Sequence, residues 1–159
     1  MSIEDFKTLM DEFDPASLLP ELDSILGKIA FIARIAVMIG PIVLLIMGLV
    51  YLFASPKEAN HYLGFRCYYG MGSIEAWRFS QQLAGIVSGG LGLVLCIIML
   101  LVSGSFGKLE IMDLLTRAVW CVVWEAVLTA IAFAAVNILV ALRFDSRGDY
   151  RNGTTKQRL

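Results

Sequence analysis

The sequence predicts an all-α integral membrane bundle of three transmembrane helices with an N-terminal amphipathic helix. Of its 159 residues, 58% are hydrophobic and only 17% are charged, with a mean hydropathy of +0.74. A soluble domain carries about 25% charged and about 45–50% apolar residues, so no soluble core of this size would absorb the excess. The apolar residues also fall into three runs of roughly twenty, the length that crosses a hydrocarbon layer. Short polar or Gly/Pro-containing breaks separate the runs, at Ser55-Pro56 and at Ser103-Gly104-Ser105-Phe106-Gly107. The formal net charge of −1 and the lack of a basic stretch give no case for nucleic-acid binding, and no nucleic-acid partner is expected.

Residues 1–29 read as an interfacial segment. Ile3, Phe6, Leu9, Met10 and Phe13 recur at helical spacing behind Ser2 as N-cap, and Asp14-Pro15 ends that helix. Its polar face is acidic, which anionic lipid repels and which therefore favours packing on the bundle or a partner. The same acidity lacks the positive n-region of a cleaved signal peptide, so the membrane segments are expected to be retained. Leu18, Leu19, Leu22, Ile25 and Leu26 then lead into the membrane.

The three-span domain covers 30–144, with spans at about 30–53, 83–102 and 118–142 and a motif loop at 56–82. Gly40-Pro41 falls in the middle of the first span, where a kink is expected because proline removes one helical hydrogen bond. The second helix is expected to start at Ile74, with Ser73 as N-cap and Glu75 in the positive first turn. Continued through Val102 it is roughly 43 Å long, longer than the ~30 Å hydrocarbon core. An amphipathic stretch with Leu109, Met112, Leu114 and Leu115 precedes the third span as an interfacial extension of its helix. The polar remainder, 145–159, is expected to fray.

Three spans put the N-terminus and the 103–117 connection on one side, and the motif loop and C-terminus on the other. Lys7, Lys28, Arg34, Lys108 and Arg117 face Lys57, Arg66, Arg78, Arg143, Arg147, Arg151, Lys156 and Arg158. The positive-inside rule assigns the richer side, with the motif loop and C-terminus, to the cytoplasm.

Polar groups at motif-like spacing concentrate in that loop. Physical chemistry alone makes it a connector: Asn60 and Gly64 suit turn positions, and Arg66 can bond carbonyls or pair with Glu75. Trp77 with Tyr62, Tyr68 and Tyr69 suits the headgroup level. His61, the single histidine, cannot make a metal site alone. The run Pro56-Lys57, Asn60, Gly64-Phe65-Arg66, Met71, Ser73, Glu75-Ala76-Trp77 and Gly85 resembles the signature of the SdpI family, small bacterial membrane proteins related to a toxin-immunity protein. The likeness covers about thirty residues. Cys67 and Gly70 depart from the hydroxyl residues common there. What the resemblance implies is a multi-pass protein of the bacterial inner membrane, acting in immunity or signalling through a peptide toxin or a regulatory protein. Its motif residues would be Asn60, Gly64, Phe65, Arg66, Ser73, Glu75 and Trp77.

Inside the membrane, Glu125 is the one clear acid. An ionised carboxylate there costs roughly 2.5–3.5 kcal/mol on insertion scales, so it needs a partner or a proton. Counted at ~1.5 Å per residue, Arg34 lies about 6 Å deep and Glu125 about 10 Å from the same side, so an Arg34–Glu125 pair is expected. The other reading is a proton or ion relay through Thr129, one turn on. Asn137 is expected to hydrogen-bond across helices. Gly85, Gly89 and Gly92 form one narrow face of small residues, for a contact within the bundle or with a second copy in a homo-oligomer. Cys67, Cys96 and Cys121 lack metal-ligand spacing, and neither a metal nor another cofactor is expected. Scattered carboxylates and the absence of a phosphate-cradling loop argue against an enzyme. The alternative to recognition is a small transporter or channel subunit using Glu125.

Overall fold

A computed structural model describes residues 19–56 and 64–151. Its three long helices are α1 (Leu19–Phe53), α2 (Ile74–Ser103) and α3 (Ile111–Arg143). Short 3-10 turns at Tyr69–Met71 and Phe106–Lys108 precede α2 and α3. Among the described residues the regular structure is all helical apart from an isolated bridge between Phe144 and Tyr150. Each long helix is long and apolar enough to cross a membrane. The amphipathic helix expected at 3–13 lies outside the described residues, as do Asn60, His61 and Tyr62.

Local chemistry explains the helix bounds. Pro20 sits in the first turn of α1, where a missing N–H has no helical partner to lose. Pro41 lies inside α1, which runs on as one helix to Phe53. Ser73 is extended at the N-cap of α2, and its hydroxyl accepts the Ala76 N–H at 3.1 Å. Glu75 lies in that first turn. At 30 residues, α2 spans about 45 Å, so its first turns stand clear of a ~30 Å hydrocarbon core. The interfacial stretch before the third span is continuous with it, since α3 starts at Ile111.

Antiparallel α1 and α2 share the most extensive interface of the bundle. Glycine makes the approach close. A methyl on Gly48 would strike the backbone of Gly89, one on Gly92 would lie 2.5 Å from the Leu45 nitrogen, and one on Gly85 would lie 2.6 Å from Leu52. Gly85, Gly89 and Gly92 thus all face α1 within one chain. With no hydrophobic force to drive helices together in lipid, contact between bare backbones supplies the dispersion that holds them.

Helix α3 packs more thinly. Its buried residues are Leu114, Glu125, Val136 and Val140, while Val119, Trp120, Val123, Trp124, Ile131 and Leu139 are exposed, as lipid-facing side chains should be. Two apolar clusters result. One joins Ala30, Ala33, Val37 and Leu44 of α1 to Leu95, Met99, Phe106 and Leu114. The other joins Tyr51, Phe65, Ala76, Ala84, Val136, Val140 and Phe144 at the opposite end. The polar segment after α3, expected to fray, is instead folded through Arg151. Phe144 is fully buried, and Arg151 donates to the Arg143 carbonyl at 3.0 Å, because a buried aromatic and a hydrogen-bonded turn offset the ordering entropy of the polar residues between them.

Candidate functional site: a polar cap on the bundle

At the end where α1 stops and α2 begins, the 64–73 segment and the 144–151 hairpin form one cap. Its anchor is Phe65. The ring stacks on Phe133 of α3 at 5.7 Å and meets Tyr51 of α1 edge-on at 6.2 Å. Its backbone is held by α2: the Phe65 N–H donates to Gln81 Oε1, and Gln81 Nε2 donates to the Phe65 carbonyl, both at 2.7 Å. One residue therefore touches all three helices.

Gly64 enters this arrangement with φ +114°, a left-handed backbone that side chains disfavour. A methyl there would also lie 2.7 Å from the Trp77 ring and 2.9 Å from Gln81 Oε1. Trp77 is completely buried, and its indole N–H donates to the Pro56 carbonyl at 2.8 Å. It is thus a core post under the loop and no part of an interfacial aromatic belt, because an indole with its one donor satisfied is more stable under a loop than at the headgroups. Tyr68 is 76% exposed and packs edge-on against Tyr69 at 5.2 Å. Cys67 lies under the loop next to Gly70 and Ser80. Burial pushes its thiol above the ordinary range, while hydrogen bonding to Gly70 and Ser80 pulls the other way.

The hairpin closes the cap from the other side. Ser73 Oγ, while capping α2, donates to the Gly148 carbonyl at 2.8 Å. Asp145 Oδ1 accepts the N–H groups of Arg147 and Asp149 at 2.8 and 2.9 Å, and the Asp145 N–H donates to the Asp149 carbonyl at 2.8 Å. Backbone hydrogen bonding with Asp149 above all holds the Asp145 carboxyl below its ordinary range; desolvation opposes it, and the backbone and charge of Arg147 add to the lowering. Phe144 packs between Phe79 at 5.6 Å and Tyr150 at 4.8 Å. The Arg143 guanidinium lies 4.4 Å above the Phe79 ring.

The motif residues Gly64, Phe65, Ser73 and Trp77 therefore converge, while Arg66 and Glu75 do not. Both are exposed and form no ion pair with each other, because α2 directs Glu75 to solvent and Phe65, not Arg66, turns inward. The organising side chain is Gln81, which motif reasoning missed. Its signal in the sequence was its place one turn beyond Trp77, on the face that Ala84 and Gly85 continue. The hairpin had a signal too, in Asp145 and Gly148 between the aromatic residues Phe144 and Tyr150.

The intramembrane polar groups also differ from expectation. Arg34 does not pair with Glu125; its Nε donates to the Ser103 carbonyl at 3.0 Å. The α1–α2 register brings Arg34 to the end of α2, where unpartnered carbonyls attract a cation. Glu125 is buried six residues further along α1, against Gly40, and its Oε1 has no hydrogen-bond partner among the described residues. Thr129 is half-buried. Asn137 is exposed and donates to Phe133 of its own helix at 2.9 Å, since its face of α3 meets no neighbour. Among the described residues no three His, Cys, Asp or Glu side chains cluster to hold a metal.

No family model matches the chain, and neither a curated protein nor a solved structure matches it.

Proposed function

We propose that the chain is a non-enzymatic bacterial inner-membrane protein of the SdpI type, acting in toxin immunity or membrane signalling by recognising a peptide or protein. The observation that carries this reading is the convergence of Gly64, Phe65, Ser73 and Trp77 into one frame that leaves Arg66, Tyr68 and Glu75 outward. A connector needs no such frame. A recognition surface does, because side chains fixed in advance lose less entropy on binding. With the positive side inward, the cap faces the cytoplasm and suits a segment of a regulatory protein.

The test is survival of a sensitive bacterial host that expresses the chain and is challenged with secreted membrane-active peptides. Protection is expected, and Arg66→Ala should abolish it while the amount of folded protein in the membrane stays unchanged. Arg66→Lys should rescue poorly, because lysine lacks the planar fork of guanidinium. Survival that is indifferent to the chain, or to Arg66→Ala, would contradict the reading. A small transporter or channel subunit is the second reading, favoured by the unpartnered Oε1 of Glu125. A proton or ion flux in liposomes that disappears in Glu125→Gln would put it first.

A further inference from the structure

Glu125 is 6% exposed, its Oε1 is without a hydrogen-bond partner among the described residues, and its other oxygen sits over Gly40 of α1. A methyl on Gly40 would lie 2.5 Å from that Oε2, so the missing side chain is the notch the carboxyl occupies. The next residue is Pro41, whose nitrogen carries no hydrogen, and the Val37 carbonyl one turn back therefore has no helical donor. At this level α1 offers an acceptor. An ionised carboxylate only accepts, whereas a carboxylic acid also carries a donor.

Among the described residues no cation reaches the notch. On α1, Arg34 is engaged with the Ser103 carbonyl, and Tyr51 belongs to the opposite end of the bundle. On α2, Cys96 is the only titratable side chain between Arg78 and Lys108, and it is uncharged as a thiol. On α3, Cys121 lies half-buried one turn before Glu125, and Arg117, a further turn back, is exposed. The notch also matters mechanically. Between Leu114 and Val136, Glu125 is the only buried side chain of α3, with Ala118, Cys121 and Phe133 partly buried against the α1–α2 core, so this carboxyl is the one polar anchor in the middle of that helix.

We propose that Glu125 is a proton-binding site that latches α3 to α1: as a neutral acid it seats in the Gly40 notch, and when the proton leaves, the carboxylate leaves the notch and frees the middle of α3. The ligand is the proton itself. The latch is independent of the recognition role of the cap and stands or falls separately from it.

The test uses the full chain in lipid nanodiscs. Dicyclohexylcarbodiimide, an apolar reagent, adds the O–H of a neutral carboxylic acid across its C=N bond, and the adduct is located by peptide mass spectrometry. An adduct at Glu125 is expected at low pH, its yield falling roughly tenfold per pH unit once the group ionises. In parallel, the melting temperature of the native chain should fall by about 5 °C between pH 5 and pH 9, while Glu125→Gln, neutral and of the same shape, should melt at one temperature throughout. Gly40→Ala fills the notch and should bring the pH 5 value down to the native value at pH 9. Absence of a Glu125 adduct across this range, a yield that ignores pH, or the same loss of melting temperature in Glu125→Gln would overturn the proposal.

Discussion

The side-chain amide of Gln81 accepts from the Phe65 N–H and donates to the Phe65 carbonyl, the pattern a neighbouring strand would supply to a loop residue that has none. Both groups are buried, and neither could turn to water if the amide were removed. Gln81→Ala should therefore cost roughly 2–4 kcal/mol, the penalty of two orphaned backbone groups, read as a lower melting temperature in detergent. Unchanged stability would show that water replaces the amide. Cys67 gives a second prediction at this scale. Burial raises its thiol, so the reactive thiolate is scarce at neutral pH, and maleimide labelling of Cys67 should need a more alkaline medium than an ordinary thiol does. Labelling at the ordinary rate at neutral pH would contradict a closed loop. Residue types in the sequence identified the loop as polar and Gly64 as a turn. They did not reveal which polar group faces inward, because Arg66 and Gln81 are both long hydrogen-bonding side chains and only the packing of Phe65 between α1 and α3 decides between them.

Among the elements, α1 and α2 form the rigid pair and α3 the looser one. Gly48→Leu would drive a large side chain into the backbone of Gly89, which cannot yield. It should abolish the folded monomer in detergent, whereas Gly90→Leu, on a face with no neighbour within 4 Å, should be tolerated; equal behaviour of the two would refute this interface. The C-terminal hairpin has its own dependence on pH. Its Asp145 carboxyl is lowered on folding, so its contribution is present above the ordinary aspartate range and is lost as pH falls through the lowered value. Below about pH 4 the hairpin should open first, seen as loss of the Phe144–Tyr150 contact by NMR while the helices persist. Helix bounds were legible where a capping residue marked them, as Ser73 does for α2. The hairpin was only half legible: Asp145 and Gly148 mark its turn, but its stability lies in the contacts of Phe144 with Phe79 and Tyr150, and Phe79 lies far away in the sequence.

At the scale of the whole molecule, hydropathy alone foretold three membrane-spanning helices, since each must satisfy its own backbone in lipid and so needs a long apolar run. Topology follows from the odd number of spans. Reporters placed in the Ser103–Lys108 connection and after Arg151 should report opposite sides of the membrane, with the C-terminal one cytoplasmic. What hydropathy could not convey is that one end of the bundle is closed by an ordered cap drawn from a loop and a tail far apart in sequence. That order is the central claim, since a surface proposed to read a partner through Arg66 and Tyr68 must first be fixed. Backbone amide hydrogen exchange in nanodiscs tests it most directly. The N–H of Phe65 is bonded to Gln81 and that of Gly70 to the Cys67 carbonyl, and both should exchange at least roughly a hundredfold more slowly than an unstructured loop, an opening free energy of about 2.7 kcal/mol. Exchange of these two amides at the rate of a free chain would contradict it.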